Sequence, residues 1–543
     1  MRSEKGIVAA AEPEAAKVGR DILSAGGNAI DAAVAVGFAL AVTYPAAGNL
    51  GGGGFLVGSI GREKETSETP QENLSSVALD FREVAPLQST SDMYVKAKES
   101  SSLLGHLASG VPGSVDGLLH ALDSWGSMSR DQVLAPAIRL AKDGFPMTQR
   151  THSMLARKST MNAMLKYRAS ADLFYPGGKP VPTGTLFKQP DLARTLDLIR
   201  QKGREGFYSG DVADHLATEM KRGGGLISLK DLKEYRSVER TPIKFPTSDG
   251  FAISMPPPSS GGICLAQISS LLEGYPFSTT EAGSARHLHL LAEAMRRSFA
   301  DRNQFLGDPD FVDCQTQLLL STDHLNKLRS SISEDVATPS SNFTSSPQGV
   351  KESEQTTHYS IVDPAGNGVA VTTTLNGSFG SKVVVPGTGF LLNNEMDDFT
   401  TRPGVPNLFG LIQGELNGIA PGKRPLSSMS PTVWHYSDGS VRGVLGTPGG
   451  PTIITNVFQV LFALDRLGLS PELAVSMPKM HHQCLPDQIY VEQGHSESVL
   501  QQLKALKHKI VTRSNIGDFQ LITHLNSRGW TGISDPRGGG ASF

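Results

Sequence analysis

A mixed α+β fold is what this sequence predicts, and three observations carry that prediction. Residues 357–362 and 369–375 are two β-branched arms around the turn Asp363-Pro364-Ala365-Gly366-Asn367-Gly368, which reads as a hairpin. Helical spacing recurs at Pro13 to Leu40, broken at Gly26-Gly27, and at Leu134 to Ala141, Leu192 to Gly203 and Arg286 to Arg302. The 543 residues carry 58 glycines and 38% hydrophobic residues, which suits a large, turn-rich globular chain with ample apolar surface for a core.

In chain order, Asn28 has the position of an N-cap for the apolar helix that follows it. Gly52 to Gly58 and Ser76 to Arg82 read as strands, and the charged run Arg62 to Ser75 between them reads as a surface loop. Arg329 to Glu354 is crowded with serine and proline and has almost nothing apolar to bury, so it is expected to be mobile. The hairpin begins directly after it. With the turn centred near Ala365, opposed residues have numbers summing to about 730, so Thr356 faces Thr374 and Asn376 lies just beyond the strand end.

That junction admits two readings. One is a threonine-rich edge strand after a linker. In the other, scission of the Gln355/Thr356 bond frees an α-amine on a residue that also has a hydroxyl; with a pKa of roughly 7.7 to 8.0 the amine can serve as that hydroxyl's base. The Thr356 hydroxyl can make the cut itself, by attacking the Gln355 carbonyl and leaving an ester for water to hydrolyse.

Several motifs in one order then carry a resemblance. Gly26 to Ala33, Gly51 to Phe55, Leu79-Asp80-Phe81-Arg82-Glu83, Gly110 to Ser114 and Pro256 to Gly262 precede the junction. Thr356 to Ser360, Thr374-Leu375-Asn376, Asn393 to Phe399, Lys423 to Pro431 and Pro448-Gly449-Gly450 follow it. Together they resemble γ-glutamyltranspeptidase, also called glutathione hydrolase, over nearly the whole chain. The resemblance implies an αββα sandwich of the N-terminal nucleophile hydrolase type. Both products of autocleavage build it: a large subunit of residues 1–355, with 329–355 as linker, and a small one of 356–543.

It also implies roles. Thr356 is the nucleophile, Thr374 orients the new terminus, and Gly449 and Gly450 form the oxyanion hole. Arg82 holds the donor's α-carboxylate with Ser427 and Ser428, while Asn376, Glu395 and Asp398 recognise its α-amino group. A guanidinium suits the first task because its paired donors match a carboxylate. The two acids suit the second, since close carboxylates are unfavourable until a cation joins them. Glutathione and other γ-glutamyl compounds are the implied donors, amino acids or dipeptides the acceptors. Residues 403–421 resemble a lid loop, with Phe409 where some relatives have tyrosine.

Other classes fit less well. With 50 basic and 53 acidic residues there is no basic field for nucleic acid. Cys264, Cys314 and Cys484 are too few and too scattered for a disulfide framework or a zinc site. Gly51 to Gly54 lacks the ending of a P-loop, and His287, His289, His481 and His482 read as structural, so no metal or organic cofactor is implied. No run reaches the roughly 18 apolar residues of a spanning helix. Met1 to Lys5 has no apolar leader, whereas the resemblance implies a periplasmic, secreted or surface-anchored enzyme. A cephalosporin or glutaryl acylase of the same fold and a non-catalytic binding relative are the alternatives.

Overall fold

The computed structural model describes residues 1–61, 74–95, 97–98, 100–343, 356–401, 414–524 and 529–543. The hairpin is present, as strands Thr356–Val362 and Gly368–Thr374, in the register read from its turn: Thr356 opposes Thr374 and Val362 opposes Gly368. Asp363 organises the turn. Its Oδ1 accepts the Ala365 and Asn367 N–H groups, and its Oδ2 accepts Asn367 Nδ2 and the N–H of Ala29, the first residue of the helix Ala29–Thr43. One carboxylate thus closes the turn and complements a helix N-terminus.

Among the described residues, two seven-stranded antiparallel sheets form the centre of the molecule. The first runs Ala541–Ser542, Ile7–Ala10, Thr356–Val362, Gly368–Thr374, Gly53–Gly61, Leu74–Phe81, Val238–Arg240. The second runs Arg2–Ser3, Trp530–Ser534, Gln520–Thr523, Val441–Gly446, Thr432–Tyr436, Gly250–Ser254, Ile243–Thr247. Both sheets contain strands from before and after residue 355, so the two parts of the chain share their cores.

Strand alternation divides the apolar residues between layers. Val8, Tyr359, Ile361, Val369 and Val371 pack with the helix Ala29–Thr43 and its neighbours on the outer face of the first sheet. Ile7, Ala9, Phe55, Val57 and Ala370 join Val433, Val444 and Leu521, and that cluster continues into the helices Gly261–Leu272, Ala285–Phe305 and Thr452–Asp465. The result is the expected four layers, helix, sheet, sheet, helix. The helix Ala29–Thr43 is buried along its entire length, which explains a sequence apolar on every face, and Asn28 and Asp31 form a capping box at its start.

The stretch expected to be mobile from Arg329 is anchored in its first half. Arg329 and Ser330 close the helix Thr322–Ser330, and Arg297 Nη2 donates to Ser331 O at 2.6 Å. Thr338 N–H donates to Glu293 at 3.1 Å, Ala337 N–H to Leu506 O at 2.7 Å and Ser340 N–H to Asp487 at 2.8 Å. A segment poor in apolar residues is held here by hydrogen bonds to Arg297, Glu293 and Asp487 and by Ile332 and Phe343, which pack against the second core cluster. Residues 344–355, Gln355 included, lie outside the described residues, as do 62–73 of the expected surface loop.

Candidate active site

Thr356 begins its strand, and alternation turns Thr356, His358 and Ser360 toward the second sheet. The strand Ile7–Ala10 pairs with residues 359–362 only, so Thr356 to His358 are paired along one edge. The Thr356 hydroxyl lies 3.4 Å from that of Thr374, which accepts the Asn376 N–H at 2.8 Å. Among the described residues no histidine or carboxylate hydrogen-bonds the Thr356 hydroxyl. His358 is near in sequence but engaged elsewhere: its nitrogens contact Thr372 at 2.8 Å and Ser360 at 3.0 Å. Burial pulls its pKa down to about 3, so it is neutral at physiological pH.

Asn376 adopts φ +69°, a left-handed conformation that asparagine tolerates and that ends the strand. Its Nδ2 donates to Asn394 O at 2.9 Å, while its buried Oδ1 has no hydrogen-bond partner among the described residues. Asn393 explains the placement of the next two acids. It bridges Gly51 O and Gly110 O and accepts the Glu395 N–H, fixing the short 3-10 turn Glu395–Asp398.

Arg82 follows the strand Leu74–Phe81. Its guanidinium pairs with Glu395 and with Asp398 Oδ2 at 2.5 Å; Glu83 stands 3.6 Å away and Nε donates to Pro425 O. Asp80 is instead paired to Arg240 and Arg424. Three buried carboxylates therefore face one cation, and burial is the main reason that Glu83 is pushed up to about 7 and Glu395 well above the usual range. The arginine and acids predicted from sequence are in one place, and they are partnered with one another.

Opposite them, Ser427 and Ser428 lie in a turn docked on the Pro256 to Gly262 motif. Ser427 N–H donates to Pro258 O, and Ser260 donates to Ser427 O through both its N–H and its hydroxyl. A Cβ on Gly261 would stand 2.3 Å from Ser430 Oγ, so close approach requires glycine there. Gly449 and Gly450, at φ +135° and +57°, precede the helix Thr452–Asp465, and neither N–H has an acceptor among the described residues. Free amides at a helix N-terminus favour negative charge.

Thr356, Thr374, Asn376, Arg82, Glu395, Asp398, Ser427, Ser428 and Gly450 line one narrow cleft. Gly449 borders a second cavity, beside Tyr44 and Arg150. Sequence reading missed Arg302, a buried residue of the helix Ala285–Phe305 that reaches the same cleft. Of the resembled lid, residues 402–413, and with them Phe409, lie outside the described residues. Its Asn417 binds the cleft's rim, donating to Asp398 O and accepting the Leu426 N–H.

The features discounted earlier have structural roles. Gly52 passes where a Cβ would meet Thr374 O at 2.1 Å. His289, Glu293 and His508 come together, but the two rings bond each other and Glu293 is paired to Arg296 and Arg297. No helix among the described residues is long and apolar enough to cross a membrane.

The profile of the family described as gamma-glutamyltranspeptidase matches residues 15–543. The chain is 42% identical to the glutathione hydrolase proenzyme of Escherichia coli K12 over 541 residues, covering 99% of this chain and 91% of that protein. Among solved structures, a cephalosporin acylase from Bacillus halodurans superimposes with TM-score 0.86 at 27% identity, covering 100% of this chain and 96% of that one. Helicobacter pylori gamma-glutamyltranspeptidase superimposes with TM-score 0.57 at 40% identity, over 61% of this chain and 93% of that one.

Proposed function

This chain belongs to the gamma-glutamyltranspeptidase family, and from that premise we propose that it is a self-cleaving enzyme that transfers the γ-glutamyl group of glutathione and related donors. The observation that carries the reading is the Thr356 hydroxyl, 3.4 Å from Thr374 and without histidine or carboxylate as base among the described residues. Such a hydroxyl needs a base, and scission at 355/356 supplies one on the same residue.

Maturation begins when the Thr356 hydroxyl attacks the Gln355 carbonyl. The acyl group moves from nitrogen to oxygen, water hydrolyses the ester, and the products are a carboxylate at Gln355 and an amine at Thr356. Residues 1–355 and 356–543 stay together as subunits because each sheet contains strands of both.

In turnover the donor's α-ammonium lies against Glu395, Asp398 and Asn376 Oδ1, and its α-carboxylate reaches Ser427, Ser428 and Arg82. The Thr356 amine takes the hydroxyl proton as the oxygen attacks the γ-amide carbon. Negative charge collects on the former carbonyl oxygen beside the Gly449 and Gly450 amides. The C–N bond breaks, the leaving amine takes the proton, and a γ-glutamyl ester remains on Thr356. Water releases glutamate; an amino acid or dipeptide amine forms a new γ-glutamyl bond.

Wild type and Thr356→Ala run on a denaturing gel, with γ-glutamyl-p-nitroanilide as donor, test this. Two bands with turnover are expected of the first, and one band without turnover of the second. An uncut, active wild type overturns it.

A further inference from the structure

Two guanidiniums border the cleft, and their charges are balanced differently. Arg82 is surrounded by Glu83, Glu395 and Asp398. Arg302 is just as buried, yet among the described residues it has no carboxylate within ion-pair distance. Neutral oxygens hold it. Nε donates to Ser260 Oγ at 2.9 Å, Nη1 to Asn303 Oδ1 at 3.0 Å and Nη2 to Ser428 Oγ at 3.1 Å. Burial lowers its pKa to about 10, which leaves it protonated at pH 7. A buried cation whose hydrogen bonds go to neutral oxygens, with Asp398 acting on it only from beyond ion-pair distance, is costly until an anion arrives.

The hydroxyl directions follow from those bonds. Ser260 Oγ accepts from Arg302 and passes its own proton to Ser427 O at 2.7 Å. Ser428 Oγ likewise accepts from Arg302, so its O–H is left to donate elsewhere, and both residues line the cleft. A carboxylate placed there meets a hydroxyl polarised by a cation behind it. Arg82 reaches the same carboxylate only by giving up part of its contact with the acids.

Resting on the donor site proposed above, we infer that Arg302 is a positioning residue that selects donors bearing an α-carboxylate, acting through Ser428 and the Ser427 turn. The net positive charge comes from Arg302, while Arg82 chiefly offsets the acids that receive the ammonium.

The test uses three anilides with the mature enzyme: γ-glutamyl-p-nitroanilide, the glutaryl analogue without the amine, and the 4-aminobutyryl analogue without the carboxylate. Arg302→Gln should raise KM for the two carboxylate-bearing donors roughly ten- to a hundred-fold, the range for hydrogen bonds to charged groups. The 4-aminobutyryl donor should stay within about two-fold in kcat/KM, and Arg302→Lys should recover part of the loss on the other two. An equal loss on all three donors, as a purely structural role would give, overturns the inference. If neither Arg302 variant matures, Ser260→Ala decides: a rise in KM confined to the carboxylate-bearing donors supports it, and a uniform change or none overturns it. A wild type inactive on γ-glutamyl-p-nitroanilide would instead refute the donor reading.

Discussion

Gly446→Ala tests whether the nucleophile strand and the glycine loop are held in fixed relation. Gly446 lies three residues before Gly449, and a Cβ built on it stands 2.3 Å from His358 Cε1 and 2.4 Å from Nδ1. Ordinary contact begins at 3.4 Å, so one side must give by 1.1 Å, the difference of those values. His358 is fully buried, with both nitrogens engaged by Thr372 and Ser360. If the ring retreats, stranding one of those bonds costs about 1–3 kcal/mol, and overpacking adds about 1–3 kcal/mol. If the loop retreats, Gly449 and Gly450 shift relative to Thr356, and a misplacement of about 1 Å can cost about 10² in rate. Thermal melting and kcat on γ-glutamyl-p-nitroanilide read the two outcomes. The double variant Gly446→Ala/His358→Ala should show a smaller penalty from the added methyl than the wild-type background does. Wild-type melting together with wild-type kcat in Gly446→Ala would refute the reasoning.

Gly450→Ala should lower kcat by about 10² to 10³ with little change in KM, as expected when one oxyanion donor is displaced; unchanged kcat removes Gly450 from that role. Asn376→Ala removes the buried Oδ1, which has no partner among the described residues, and should raise KM about ten-fold or more for γ-glutamyl-p-nitroanilide while sparing the glutaryl analogue, which steady-state kinetics resolves. Glu83 and Glu395 have folded pKa values raised above 4.5, so the native protein holds protons that the unfolded chain has lost. Their contribution makes stability fall as pH rises from 4.5 through about 7, the window set by Glu83. Melting of uncut Thr356→Ala between those pH values should follow that slope, and Glu83→Gln should flatten it.

The hairpin register was legible because turn chemistry and β-branched arms are local signals, and Thr356 does face Thr374. Asn28 as an N-cap was legible for the same reason, and the structure adds the capping box it forms with Asp31. The acids and Arg82 were found through motifs; their mutual pairing was not, because residues 82 and 395 meet only through the tertiary fold. Arg302 escaped because the helix Ala285–Phe305 buries Arg296, Arg297 and Arg302 together, so periodicity of apolar residues does not mark its inner face. Arg296 and Arg297 of that helix, with Glu293 and Asp487, anchor residues 331–340, where composition alone predicted mobility.

Turnover requires an amine created at Thr356. Intact mass and N-terminal sequencing of the smaller polypeptide, before and after a brief mix with γ-glutamyl-p-nitroanilide, measure both its origin and its chemistry. The fragment is expected to begin at Thr356 and to gain one γ-glutamyl group on that residue. A fragment beginning elsewhere, or an unsplit chain with full turnover, would contradict it.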